Sequence, residues 1–453
     1  MIDGVELVNL HEGLMDRAIY NDERLYNQEL EKIFSHCWLF LGAASQVENP
    51  HDFFVTSMGD DSVIVTRDGD GKLRGFLNSC RHRGMRLCRV DRGKTESFQC
   101  PYHAWVYGSD GAVLSAPFYD KQGDMDGWSL TEVGQIDICG DLIFATWDKN
   151  APPLREYLGG MDYYLEHAAR RAGPSGLEIM GAPQRWTIDV NWKYPAENFS
   201  GDGPHVPATH ASAIEAGWRK PDSYKTNNRA AKPPRQHRVF FADNGHTFSS
   251  GEDPPQSGGE LMGPYAKFLE EKRAQFKTEE AGDTWLLTPM GVGTIFPNCS
   301  FVDGARFKII RTWNPRGPNK IEIYSWCVVD RDASDEVKHD AQRQSLLAFG
   351  PTGLFELDDA EMWSETSRGM AGYRARRDRP LNYSLGVNRD DQPIAASEYF
   401  GSDVPGLVQG GGGILTDAAL HRFYAEWSKY MSAEDRDLGS SLEMHGMDRE
   451  AAE

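Results

Sequence analysis

NSCRHRGMRLCRVDRGKTESFQCPYHAW, Asn78 to Trp105, places Cys80 and His82 one residue apart and Cys100 and His103 two apart, with 17 residues between the pairs. The chain has only seven cysteines in 453 residues, yet two of them stand in matching Cys/His pairs. Each pair lies in a loop containing Gly or Pro and is followed by basic or aromatic residues. A structural zinc site also accepts Cys and His in a tetrahedron, but its knuckles space paired ligands by about two to four residues. Cys80-x-His82 is tighter than that. A two-iron, two-sulfide cluster asks for something else: one thiolate from each loop for one iron and one imidazole from each loop for the other.

That is the Rieske arrangement. Neutral imidazole leaves less negative charge on its iron than thiolate does, which raises the potential to about −150 to +300 mV against about −400 mV for an all-Cys plant-type cluster. Zinc stays as the competing reading of the pairs. Cys88, between them, reads as a small packed hydrophobe. A Rieske cluster only moves electrons, so by itself it fits a ferredoxin or a respiratory subunit. Either would leave about 300 residues after Pro153 without a task.

Those residues carry a second constellation. NWKYPAENFSGDGPHVPATH, Asn191 to His210, holds Glu197, Asn198, Asp202, His205 and His210. On an ideal helix two residues five apart point about 140° away from each other. Pro207 between the two histidines removes a helix hydrogen bond and supplies a bend that turns both to one side. Asp202 and His205, three apart, share a face without help. Non-haem Fe(II) that activates O₂ favours two His and one carboxylate on one face, with positions left open. FGPTGLFELDDAEMW, Phe349 to Trp363, offers Asp358 and Asp359 after a Gly-Pro turn, although a charge run on a helix is more often a solvated face. Phe199, Val206, Phe349 and Phe355 are the candidates for an apolar substrate pocket over the open metal face; as plain core residues they would look the same in sequence.

Composition narrows the partners. A formal charge of −20 makes a phosphate backbone or an anionic membrane a poor partner. No stretch approaches 18 apolar residues, so no membrane span is expected. MIDGVELVNLHEG lacks a basic start and an apolar run, and the odd, scattered cysteines do not make a disulfide framework; both suit a cytoplasmic protein.

Along the chain, Asp22–Phe34 reads as a helix with Leu25, Leu30 and Ile33 on one side. From about Trp38 to Asp148 strands dominate, with hairpins at Asp68–Gly71 and at Asp110-Gly111, closed by DLIFATWD. Pro152-Pro153 marks a boundary, and LREYLGGMDYYLEHAARR follows as a helix. Trp186–Trp192 reads as a strand entering a helix, and Lys308–Asp330 as a hairpin turning at Pro315-Arg316-Gly317. Ser334 and Thr416 cap later helices, the second running to about Met431. Asn227–Pro234 and Gly410–Gly413 read as loops. The pattern is a small all-β unit ahead of a larger α+β domain.

CRHRG…CPYHAW, NWKYPAENFSGDGPHVPATHAS and GPTGLFELDD, in this order, resemble the catalytic (alpha) subunits of Rieske-type aromatic-ring-hydroxylating dioxygenases over nearly the whole length. The resemblance implies an α+β fold: an all-β Rieske domain, residues 38–155, and a catalytic domain, residues 1–37 and 156–453, with an antiparallel sheet flanked by helices. It implies a Rieske 2Fe-2S cluster on Cys80, His82, Cys100 and His103, and mononuclear Fe(II) on His205, His210 and Asp359. Asp202 resembles the carboxylate that bridges an iron-ligating His to a cluster-ligating His of the neighbouring subunit, and Asn198 a polar residue near the iron. The implied activity is a terminal oxygenase that cis-dihydroxylates an aromatic ring with O₂ and electrons from NADH through a reductase and ferredoxin. The implied partners are a small beta subunit, as α3β3, or an α3 trimer alone. A carboxylated aromatic substrate, a Rieske monooxygenase or demethylase, and an electron-transfer-only protein are the alternatives. Gly203-Pro204 stands where the family often has Tyr before the first iron-ligating His, which touches substrate choice more than metal binding.

Overall fold

Alternating apolar residues build two β units in the structure, a computed structural model that describes residues 7–119, 125–215, 237–251, 263–279, 291–304, 306–386, 393–400, 404–410 and 415–433. In the first unit Asp52–Met58, Asp61–Arg67 and Leu73–Leu77 form an antiparallel meander, and Arg92–Lys94 adds to its edge. The hairpin expected at Asp68–Gly71 is closed by Asp68, whose carboxylate accepts from the Asp70 and Lys72 N–H groups. Gly71 there sits at φ 81°, a conformation that needs glycine's freedom. Ser97–Gln99, Val106–Gly108 and Val113–Ser115 make a second small sheet. Inward-facing Phe53, Val55, Ile64, Phe76, Phe98 and Tyr107 close a core of their own, and Cys88 packs in it as expected.

The second unit is organised on an antiparallel sheet of ten strands among the described residues. Its long hairpin, Lys308–Pro315 with Ile321–Asp330, pairs Ile310 with Trp326 and Trp313 with Ile323, as the sequence suggests. Helix Lys193–Gly201 crosses the strands Thr247–Gly251 and Gly291–Ile295. Thr294 and Thr247 donate hydroxyl bonds to the Ala196 and Ser200 carbonyls at 2.8 and 2.7 Å, which fixes the helix against the sheet. Helix Ala418–Ser432 packs on its other side. Helices Asp335–Phe349, with the expected Ser334 cap, and Leu354–Ala371 follow the hairpin. Strands Leu39–Ala43 and Leu142–Thr146 bury their residues in this larger core, as do Leu25 of helix Glu23–Glu29, which Asp22 caps, and Ile33 of the π-helical turn Leu30–Phe34 that continues it. No helix among the described residues is long and apolar enough to cross a membrane.

Two local expectations change. The helix read over 154–171 is two, Leu154–Leu158 and Met161–Arg171, because Gly159 and Gly160 both take positive φ (49° and 92°) and end the first helix in a left-handed turn. Thr416 is one residue outside the cap of the last helix: Asp417 is the cap, while the Thr416 hydroxyl accepts from the Ala418 N–H. The loops read at Asn227–Pro234 and at 411–413 lie outside the described residues.

Candidate active site and metal centres

The two Cys/His loops have one backbone design. Cys80 N–H donates to Met85 O at 2.9 Å and Gly84 N–H to Cys80 O at 2.8 Å; Cys100 N–H donates to Trp105 O at 2.7 Å and Ala104 N–H to Cys100 O at 3.0 Å. The same residue of each loop, Gly84 and Ala104, carries positive φ (69° and 56°). For Ala104 that conformation costs on the order of 1 kcal/mol, so tight closure of the loop is being held by its surroundings. Both cysteines are buried, and the rings of His82 and His103 meet edge to face at 4.4 Å. Trp105 stacks on His82 at 5.3 Å, and Tyr107 places its hydroxyl 3.3 Å from Cys80 Sγ and accepts from Arg81 N–H. His82 Nδ1 is buried without a hydrogen-bond partner. A buried imidazole nitrogen left unpaired is costly in a native fold, and an iron ligand bond would satisfy it; the two thiols and two imidazoles brought together here suit the cluster.

The second constellation also converges. Helix Lys193–Gly201 ends at Asp202, and a short turn leads to His205, which begins helix Val206–Thr209; His210 ends it. Pro207 is therefore not a mid-helix break. It sits at the start of the short helix, where its missing N–H has no partner to lose, and the chain bends because that helix is only four residues long. Nor do Asp202 and His205 share a helix face: Asp202 has non-helical ψ (74°), and the pair meet across the turn, Oδ2 to Nδ1 3.3 Å. His205 Nδ1 also lies against the Asp202 carbonyl and 3.2 Å from Asn198 Nδ2.

Across from them, helix Leu354–Ala371 brings Asp359, which is 2% exposed. Its Oδ1 stands 3.3 Å from His210 Nε2 and 3.7 Å from His205 Nε2, and ligand atoms of the three residues lie within 4.8 Å of one another. Metal bonds near 2.1 Å put neighbouring donors about 3.0–3.4 Å apart, so the donor set fits a single ion. Burial works against charge on His205, but Asp202 and Asp359 outweigh it and hold the imidazole above its ordinary range.

Asp358 takes a different place from Asp359. Its Oδ2 lies 3.4 Å from His210 Nδ1, the nitrogen facing away from Asp359, and Ser212 donates to its two oxygens at 3.2 and 3.1 Å. A carboxylate on the outer nitrogen of a histidine fixes tautomer and ring direction. Sequence reasoning treated the two aspartates as rivals and missed this partnership and Ser212; consecutive acids on a helix point about 100° apart, which is the signal it could have used.

Of the pocket candidates, Phe199, Phe349 and Phe355 form one wall. Phe199 and Phe349 are 5.9 Å apart, Phe349 stacks on Phe355 at 5.5 Å, and Phe355 meets the His210 ring edge-on at 4.8 Å. Val206, half-buried, opens the helix between the two histidines. A separate cleft of about 560 Å³ is lined by Arg17, Glu197, Asp202, Met370, Tyr383 and Asp417 among others, and by none of these four. Glu197, which lines it, stands in the second constellation but has no role assigned from the sequence. It is buried and accepts from the Tyr20, Tyr383 and Tyr424 hydroxyls; burial pushes its carboxyl up to about 8, against the pull of those phenols.

Residues 37–132 match the Rieske 2Fe-2S domain, and residues 156–433 match the catalytic domain of the ring hydroxylating alpha subunit. The chain belongs to the ring-hydroxylating alpha subunits. It is 36% identical over 447 residues to the biphenyl 2,3-dioxygenase alpha subunit of Rhodococcus jostii, covering 96% of this chain and 92% of that one. It is 37% identical over 439 residues to a benzene 1,2-dioxygenase alpha subunit of Pseudomonas putida, covering 93% and 92%. A naphthalene 1,2-dioxygenase with indole in its active site superposes with a TM-score of 0.83 at 30% identity, over 96% of both chains. This alpha subunit is accordingly an oxidoreductase of the dioxygenase class, with a Rieske cluster and a mononuclear iron as its cofactors.

Proposed function

We propose that this alpha subunit is the terminal oxygenase that adds both atoms of O₂ to an aromatic hydrocarbon. The balance is ring, O₂, NADH and a proton giving cis-dihydrodiol and NAD⁺. The observation that carries it is the convergence of His205, His210 and Asp359 in a chain that also holds the paired Cys/His loops. An electron-transfer-only protein has no use for the former.

In this reading Cys80 and Cys100 would hold one iron of the cluster, and His82 and His103 the other; His205, His210 and Asp359 would hold the mononuclear iron, which when bound would supply the one-electron chemistry toward O₂ that a closed-shell ring lacks. The remaining work falls to the protein. Asp358 and Ser212 orient His210. Asn198 donates from Nδ2 to Asp202 Oδ2 at 3.4 Å and so holds the carboxylate that faces the outer nitrogen of His205. Asp202, 31% exposed on the cleft and in contact with His205 Nδ1, is free to accept a second imidazole from a neighbouring subunit. Phe199, Val206, Phe349 and Phe355 form the apolar side of the substrate site and exclude water from it.

The relatives' substrates, biphenyl, benzene and naphthalene, support an uncharged aromatic hydrocarbon. Arg311, the buried arginine beside the aromatic wall, is already paired with Glu356 at 2.7 Å, so it is no receptor for a substrate carboxylate. We read residues 38–155 as the Rieske domain and 1–37 with 156–453 as the catalytic domain. Alpha subunits of these dioxygenases work with a beta subunit, a ferredoxin and a reductase, and we assign this chain the same partners, in an α3β3 or α3 assembly. The test is incubation of the iron-loaded protein, a reductase–ferredoxin pair and NADH with benzene, biphenyl, naphthalene, phthalate and salicylate. A cis-dihydrodiol from a hydrocarbon supports the reading; turnover of the acids alone overturns its substrate class.

A further inference from the structure

Arg311 is wholly buried, and so is Glu356. The guanidinium carbon lies 5.1 to 5.7 Å from the ring centroids of Trp313, Phe349, Trp186 and Phe199. Nη2 donates to the Phe349 carbonyl and faces Glu356 Oε2, each at 2.7 Å, while Nε donates to Ser325 Oγ at 3.4 Å. Trp186 Nε1 donates to the other oxygen of Glu356 at 3.2 Å.

The placement of these contacts matters more than their number. Phe349 is the last residue of helix Asp335–Phe349, and Glu356 lies in the first turn of helix Leu354–Ala371. One side chain, rooted on the central strand Lys308–Pro315, therefore grips both ends of the Gly350–Gly353 connection. At the first end it satisfies a carbonyl that the helix terminus leaves without a partner. At the second it holds the carboxylate one turn before Asp359 on the same helix face. The adjacent Phe355 meets both Phe349 and His210. An arginine suits the post because its rigid plane fixes Nη2 between the Phe349 carbonyl and Glu356 and Nε on Ser325, while its faces lie on rings; lysine offers only a point charge.

We propose that Arg311, with Glu356, is a positioning residue that locks the aromatic wall at Phe349 to the helix carrying Asp359, and so selects which edge of the substrate ring is oxidised. The selection of an edge rests on the oxygenase reading above; the locking of the two elements does not. A displacement of about 1 Å costs on the order of 100-fold in rate, so loosening this clamp changes which product forms.

The decisive variant is the double substitution Arg311→Met with Glu356→Leu. Removing a buried ion pair together, in favour of apolar residues of similar volume, is commonly neutral or stabilising, whereas either single change strands a buried charge. Arg311→Lys is the conservative companion. The holo-proteins are compared by thermal midpoint, cluster spectrum, mononuclear iron per chain, the ratio of 2,3- to 3,4-dihydrodiol from biphenyl, and a crystal structure. The expected result is a folded protein with wild-type cluster spectrum, a thermal midpoint lowered only by what the unpaired Trp186 N–H and Phe349 carbonyl cost, a shifted separation of Phe349 from Asp359, lowered iron retention, and a product ratio altered by about fivefold or more. Arg311→Lys lies between. A stable double variant with unmoved Phe349 and Asp359 and wild-type iron content overturns the positioning role. Movement of both without change in product ratio overturns the selection of the edge. If the wild type makes no dihydrodiol from biphenyl, benzene or naphthalene, the oxygenase reading falls, and the crystal comparison still decides the clamp.

Discussion

Replacing Asp358 or Asp359 by alanine separates two roles that adjacent carboxylates play. Asp359 Oδ1 faces both His205 and His210 Nε2, so Asp359→Ala removes a charged metal ligand. Asp358 reaches only the outer nitrogen of His210, at 3.4 Å, and is held by Ser212. Loss of such an orienting partner lowers metal affinity by about 10- to 100-fold, or roughly 1.4–2.7 kcal/mol at 1.36 kcal/mol per tenfold. Asp358 is partly exposed (22%), so the fold itself loses no more than about 1 kcal/mol. The assay is Fe(II) retained per chain against graded chelator, with the visible spectrum of the cluster as an internal control from the other unit. Asp359→Ala is expected to hold no mononuclear iron at any chelator level, and Asp358→Ala to hold it with a binding curve displaced by one to two decades. Full retention in Asp359→Ala together with an empty site in Asp358→Ala would refute the assignment of ligand and orienter.

Asp202→Asn keeps the shape of the side chain but turns one acceptor into a donor facing an imidazole N–H; metal content stays near normal while single-turnover reoxidation of the reduced cluster, with substrate and O₂ present, slows on the order of 100-fold or more. Reoxidation at the wild-type rate removes Asp202 from the electron path. Cys100→Ser bleaches the red-brown cluster and leaves about one iron per chain, since the two centres lie on separate elements; loss of both metals contradicts that independence. Glu197 binds its proton more tightly folded than unfolded, its carboxyl raised by burial to about 8. Its contribution to stability is therefore full below the unfolded carboxylate range and lost as pH rises through about 8. Glu197→Gln should flatten the fall of the thermal midpoint between pH 5 and pH 9, and an unchanged slope would show that Glu197 is not the group titrating.

Much of this was legible in the sequence for one reason: metal chemistry restricts donor types and spacings, so Cys80, His82, Cys100, His103, His205 and His210 stand out without any fold. The main hairpins were legible too, because Asp68 and Gly71 announce a turn and Pro315–Gly317 another. The break at Gly159-Gly160 was written in the sequence but outweighed by apolar periodicity on both sides. Other features were out of reach. Nothing local marks Ala104 as left-handed, because the conformation is imposed by closing the loop on Cys100. Glu197 looks like any helix glutamate until Tyr20, Tyr383 and Tyr424 arrive from remote segments. Arg311 and Glu356 are 45 positions apart and become a pair only when the strand and helix pack.

The most direct measurement is product isotope content after turnover under ¹⁸O₂, with naphthalene or biphenyl, NADH and a reductase–ferredoxin pair. Two labelled oxygens in one cis-dihydrodiol molecule, lost in Asp359→Ala and retained in Asp358→Ala at saturating iron, is the expected result. A product bearing one labelled oxygen, or no product from iron-replete protein with an intact cluster, would contradict a ring dioxygenase built on His205, His210 and Asp359.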